Sequence, residues 1–168
     1  MSKIKSILEF AMRMEKNARD FYSYYGEMAQ DQETKRTFGE LADIENQHFL
    51  YVKAKYDLLG FSAPPNTIAW VVDDFSKELD PHIIADDSDL IAGEGKSNSD
   101  ISIIRMAFLI ENDFAEFYSR AVDAVEEQDI KEFLSELKTW ETQHKELFYK
   151  KYQSMLAQQW GDIASFLN

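Results

Sequence analysis

Apolar side chains recur at steps of three and four through four long stretches of the chain, and this spacing predicts four helices. They run roughly over 3–29, 32–59, 100–127 and 130–159. A helix of about twenty-five residues is about 38 Å long. "AQDQET" joins the first two, with Asp31 as the expected N-cap of the second. Asp129 with Glu132 three residues on resembles a capping box and predicts the start of the fourth. The short connections make two antiparallel hairpins, 3–59 and 100–159. Between them, 60–99 forms a crossover. There "GFSAPPN" breaks the second helix, and "TIAWVVDDFSKELD" predicts a short amphipathic helix burying Ile68, Val71, Val72, Phe75 and Leu79. "AGEGKSNSD" reads as a flexible loop. A crossover this long spans a bundle from end to end, so helices 2 and 3 are expected to lie parallel. The pattern therefore predicts one all-α domain over 1–168, a four-helix bundle.

The two hairpins are copies of each other. Sliding the chain by ninety-six residues lays 4–56 on 100–152, with about sixteen of roughly fifty positions identical where chance gives about three. Phe21-Tyr22-Ser23 falls on Phe117-Tyr118-Ser119, and Glu40-Leu41 on Glu136-Leu137. Glu15 falls on Glu111, Glu45 on Glu141, Gln47 on Gln143 and His48 on His144. Two helical hairpins of one ancestry, packed face to face, give a pseudo-twofold bundle.

Each inward stripe carries one glutamate near its middle. Helix 1 reads Ile4, Leu8, Ala11, Glu15, Ala18, Tyr22, Tyr25; helix 2 reads Phe38, Leu41, Glu45, His48, Val52, Leu59. Helix 3 reads Ile104, Ala107, Glu111, Phe114, Tyr118, Ala121, Val125; helix 4 reads Leu134, Leu137, Glu141, His144, Phe148, Tyr152. An ionised carboxylate in such a core is costly unless it is compensated, and four together also repel one another. The stripes hold no matching set of Lys or Arg. Two divalent cations would balance the four acids. Glu15, Glu45, His48, Glu111, Glu141 and His144 would then be six protein ligands, with positions left for water, O2 or peroxide. The i, i+3 spacing in "IENQH" and "WETQH" puts Glu and His on one helix face, a turn apart.

A lone Glu on each of two helices and Glu-x-x-His on the other two resembles the ferritin-like di-iron carboxylate proteins, most closely their rubrerythrin branch. The resemblance covers both hairpins. It implies a ferritin-like fold and two iron ions, with manganese or zinc compatible with the same oxygen and imidazole donors. It makes Glu45 and Glu141 bridging carboxylates and Glu15 and Glu111 terminal ones, with one His per metal. The function it implies is a rubrerythrin-like peroxidase or oxidase using H2O2 or O2. A ferroxidase for iron handling and a non-enzymatic metal-binding or scaffold bundle are the alternatives. Tyr22 and Tyr118 lie two turns past the terminal glutamates. Similar proteins suggest a hydrogen bond to a ligand carboxylate or a radical relay for them, beside the plainer reading as core tyrosines. Two departures stand out. Phe108 and Phe114 flank the third-helix ligand where rubrerythrins carry an extra carboxylate. The chain also lacks the four-cysteine rubredoxin domain, so electrons are expected from an external donor.

Composition narrows the partners. The absence of cysteine excludes disulfides, thiolate metal sites and thiol nucleophiles, and suggests a reducing, cytoplasmic setting. A net charge of −13 argues against nucleic-acid and anionic-membrane partners. The charge-dotted N-terminus reads as neither signal peptide nor membrane span, and "IIRMAFLI" is too short to cross a bilayer. Asp20, Asp43 and Asp113 are candidate acceptors for the second ring nitrogen of the ligand histidines. His82 and the acidic run 86–89 read as surface loop, and Met12, Met14 and Met106 as core filler. Phe10, Ile44 and Trp140, apolar but off the ligand stripes, suggest a homodimer.

Overall fold

The computed structural model describes residues 3–62 and 96–166 and shows four helices: α1 (Lys3–Met28), α2 (Gln32–Leu58), α3 (Lys96–Ala124) and α4 (Gln128–Phe166). They pair as two hairpins, α1 with α2 and α3 with α4, in an all-α four-helix bundle. All four predicted helices are present. Two differ in extent: α3 (Lys96–Ala124) takes in residues expected as loop and ends before the expected 127, and α4 continues through Gly161 to Phe166. The amphipathic segment expected within the crossover, His82 and the acidic run 86–89 lie outside the described residues.

Local chemistry sets the helix ends. Asp31 caps α2 as expected, its carboxylate accepting from the backbone N–H and the hydroxyl of Thr34, both at 2.8 Å. The α2 C-terminus closes with Gly60 at φ 75°. Gly60 N–H bonds Asp57 O at 3.0 Å and Phe61 N–H bonds Tyr56 O at 3.3 Å, a Schellman arrangement. The accompanying apolar contact is Phe61 against Tyr56, with centroids 5.2 Å apart. The capping box expected at Asp129 does not form. The helix starts two residues earlier, at Gln128, with Glu127 O accepting from Ile130 N (3.1 Å) and Lys131 N (3.0 Å). Asp129 instead takes the ammonium of Lys55 at 3.1 Å.

Two apolar clusters give the helix directions. One gathers Leu8 and Ala11 of α1, Val52 and Tyr56 of α2, Tyr118 and Ala121 of α3, and Leu134 and Leu137 of α4. The other gathers Ala18 and Tyr22, Phe38 and Leu41, Ile104 and Ala107, and Phe148. The C-terminal halves of α2 and α3 thus share one cluster and their N-terminal halves the other, so the two helices run parallel, as the long crossover requires. Of the predicted stripe, Leu59 is the exception. It caps α2 at 37% exposure, and Tyr56, 1% exposed, fills the core there.

Polar ties lock the ends. Asp100 of α3, buried, accepts from the N–H groups of Gln30 (3.2 Å) and Asp31 (2.8 Å) in the turn of the other hairpin. At the opposite end, Lys3 donates to Ala124 O at 3.1 Å. Within the first hairpin, Gly26 allows close approach: a Cβ there would stand 3.0 Å from the Cβ of Phe38.

Candidate metal centre

Between the two apolar clusters lies a layer made of the glutamates and histidines of all four stripes. Glu15, Glu45, Glu111 and Glu141 are completely buried, and His48 is 6% exposed. The Nδ1 edge of each imidazole turns into this layer. His48 Nδ1 stands 3.0 Å from Glu141, 3.2 Å from Glu45 and 3.6 Å from Glu15. His144 Nδ1 stands 3.3 Å from Glu45, 3.4 Å from Glu141 and 3.5 Å from Glu111. Glu45 and Glu141 therefore belong to both sets, while Glu15 and Glu111 each belong to one. Glu45, His48, Glu141 and His144 can each offer an atom such that all four atoms lie within 4.8 Å of one another.

The tyrosines divide the oxygens of the outer acids. Tyr22 of α1 donates to Glu111 Oε1 on α3, and Tyr118 of α3 donates to Glu15 Oε1 on α1. The expected hydrogen bond to a carboxylate is thus present, and each tyrosine reaches into the other hairpin. Oε2 of Glu15 and Oε2 of Glu111 have no hydrogen-bond donor, nor do Glu45 Oε1 and both oxygens of Glu141. Only Glu45 Oε2 is aligned for a bond from His48, at 3.2 Å. The remaining imidazole approaches are close but misaligned for hydrogen bonding. Buried acceptors without donors are rare and costly. Here they converge from four helices, with one free oxygen on each outer acid and three on the shared pair. That is a donor set suited to cations.

Charge is redistributed in the same sense. Burial raises Glu15 and Glu111 well above the usual carboxylate range, against the opposing pull of His48 and His144 respectively. Burial works against charge on the imidazoles, yet the surrounding carboxylates push both to about 12. Burial opposes the charge of Glu141, but His144 and His48 bring it down to about 2. Burial and the facing Glu111 and Glu15 carboxylates raise the Tyr22 and Tyr118 hydroxyls, keeping them donors. Without metal, protons supply the positive charge this layer calls for; a divalent cation would displace them.

Other expectations fare differently. Asp20, Asp43 and Asp113 are exposed, and Asp20 binds Arg19 at 2.7 Å, so none of the three serves an imidazole among the described residues. Met12 and Met14 pack half-buried against the two clusters, whereas Met106 is 39% exposed. Phe10 is on the surface, its ring 4.9 Å from that of Phe117. Ile44 and Trp140 border a hollow over the histidines together with Gln47, Tyr51 and Gln143. Trp140 lies 4.9 Å from the His48 ring with the planes 17° apart. The repeat hinted at this hollow by matching Gln47 with Gln143 and setting Ile44 opposite Trp140, but only packing shows that the four meet.

No family model matches the sequence, and no curated protein matches it. Among solved structures, a hypothetical protein from Pyrococcus furiosus is similar, at 20% identity over 92% of this chain and 91% of that chain, with a TM-score of 0.67. At that identity the shared property is the fold. A four-helix bundle holding the buried cluster Glu45, His48, Glu141 and His144 fits a ferritin-like di-iron site. No described helix is long and apolar enough to cross a membrane.

Proposed function

We propose that the chain is a non-haem di-iron oxidoreductase of the rubrerythrin-like kind, reducing H2O2 or O2 with electrons from an external donor. One observation carries the reading: four fully buried carboxylates and two imidazole Nδ1 atoms converge at mid-bundle with donor-less oxygens and, among the described residues, no ion pair from Lys or Arg. Glu15 with His48 would hold one iron and Glu111 with His144 the other, with Glu45 and Glu141 shared. Bound there, the pair would supply two-electron chemistry toward an O–O bond. The protein's own part is positional. Tyr22 and Tyr118 fix the outer carboxylates, each leaving one oxygen free to bind. The apolar clusters above and below exclude bulk water. Phe114, buried beside Glu111, supplies no further carboxylate. The absence of cysteine accords with a reducing cytoplasmic setting and with a separate electron donor.

Anaerobic titration with Fe(II) tests this reading. Uptake saturates at two per chain, and stopped-flow mixing shows oxidation by peroxide faster than by dioxygen. Faster reaction with dioxygen and iron uptake far beyond two per chain would move the assignment to ferroxidation. Failure to bind Fe(II) would refute it.

A further inference from the structure

Beside the acid layer, the seam between α2 and α4 opens into a hollow of about 440 Å³. Sites of roughly 300–1,000 Å³ accommodate small organic ligands. The floor is the two imidazoles, the walls include Ile44 and Trp140, and Gln47 and Gln143 complete the lining with Tyr51; apart from the two histidines no residue lining it is charged. Trp140, His48 and His144 form a column of near-parallel rings, with centroid steps of 4.9 and 5.4 Å and planes 17° and 12° apart. The Nδ1 edges of both imidazoles face the carboxylates. A molecule in the hollow therefore meets the outer edges of the histidine rings and is kept the breadth of an imidazole from the acids. That placement suits electron exchange and not direct reaction at the centre. The chain also has no cysteine with which to hold an electron-transfer cluster of its own.

We propose that this hollow is the docking site of the electron donor, a neutral, planar, carbonyl-bearing ring that carries two electrons: a reduced isoalloxazine or a quinol. The apolar walls cover the ring. Each glutamine amide offers one acceptor and two donor hydrogens to its carbonyl, N–H or O–H edge. A lining without Lys or Arg, on a chain of net charge −13, disfavours a phosphate-bearing tail inside the hollow. The ring gives up two electrons and two protons. The imidazoles of His48 and His144 lie between the ring and the residues that would hold the two irons; a pair of iron(III) ions bound there would take one electron each, and the two protons would leave to solvent at the mouth. This transfer rests on the di-iron reading, whereas occupancy of the hollow does not.

The probes are lumiflavin, followed by its fluorescence, and menadione, followed by equilibrium dialysis, each titrated into the intact chain with and without Fe(II). At least one ring binds saturably at one per chain, and the tighter of the two identifies the source. Trp140→Leu weakens that binding at least tenfold while helicity and the iron stoichiometry stay as in the parent. Gln47→Leu with Gln143→Leu, which changes only lining amides, weakens it as well and stands in if Trp140→Leu misfolds. Anaerobic mixing of the reduced ring with the oxidised centre then proceeds at least tenfold slower in the Trp140 variant. Saturable binding by neither ring, or parent-like affinity in both variants, overturns the proposal. Ring binding without iron uptake would remove the di-iron reading and keep the docking site; iron uptake without ring binding would do the reverse.

Discussion

Glu15 and Glu111 each spend one oxygen on a tyrosine from the opposite hairpin and keep the other free. The choice of glutamate could be read from the sequence, because a carboxylate on an otherwise apolar stripe is conspicuous. The tyrosine's partner could not: Tyr22 shares a stripe with Glu15, yet the depth at which α1 meets α3 sets it on Glu111. The same limit hid Asp100, whose buried carboxylate holds the Gln30–Asp31 turn of the other hairpin. Removing the Tyr22 hydroxyl leaves a buried carboxyl oxygen without its donor, at about 1–3 kcal/mol. Tyr22→Phe should therefore lower the urea midpoint of the metal-free protein. It should also weaken one of the two Fe(II) equivalents by about 10–100-fold, the usual effect of losing a partner that orients a ligand. Tyr118→Phe should do the same to the other equivalent. Unchanged affinity in both would reduce the pair to core filling.

Helices were the most legible level, because a stripe at steps of three and four over twenty-five residues leaves little alternative to a bundle helix. Their ends were less so, since caps depend on what lies nearby. Asp31 accepts from the Thr34 N–H and becomes a cap, with Lys151 no nearer than 4.0 Å, whereas Asp129 pairs with Lys55 at 3.1 Å. The backbone and side-chain bonds from Thr34 hold the Asp31 carboxyl below its ordinary range. A depressed acid contributes stability that is present above its unfolded pKa, about 3.9, and lost as pH falls through the folded value. Asp31→Ala should thus cost about 1 kcal/mol at neutral pH and progressively less in acid. Asp31→Asn should keep the cap and abolish that difference between pH 7 and 3 in urea unfolding. At the α1–α2 contact, Gly26→Ala sets helix propensity, worth about 1 kcal/mol in alanine's favour, against overpacking on Phe38, typically about 1–3 kcal/mol. The Phe38 Cβ cannot move without the α2 backbone that carries it, so the substitution should destabilise. A rise in the melting temperature would show that the helices can separate.

At the scale of the molecule, the acid layer draws its polar groups from both hairpins, with apolar clusters closing it above and below. Oil alone could join the hairpins above and below it, but each ion would draw ligands from both: His48 and Glu45 from the first hairpin lie against Glu141 of the second, and His144 and Glu141 against Glu45 of the first. A cation bound there would therefore hold the two halves together as well as prepare chemistry, and stability should follow metal concentration by linkage. At free metal one hundredfold above Kd, one site adds about 2.7 kcal/mol, and a chain of this size gains roughly 2–4 °C per kcal/mol. Zn(II) or Mn(II), which require no oxidant, should then raise the melting temperature by about 5–11 °C for each occupied site and release protons as the imidazolium and buried carboxyl groups give them up. A Glu45→Ala, Glu141→Ala double variant removes both shared acids and should lose the entire increment while remaining helical, because the two apolar clusters are untouched. If saturating Zn(II) and Mn(II) leave the melting curve of the parent chain where it was and no protons appear, the glutamates and histidines are a self-neutralised polar layer, and the bundle stands without a metal centre.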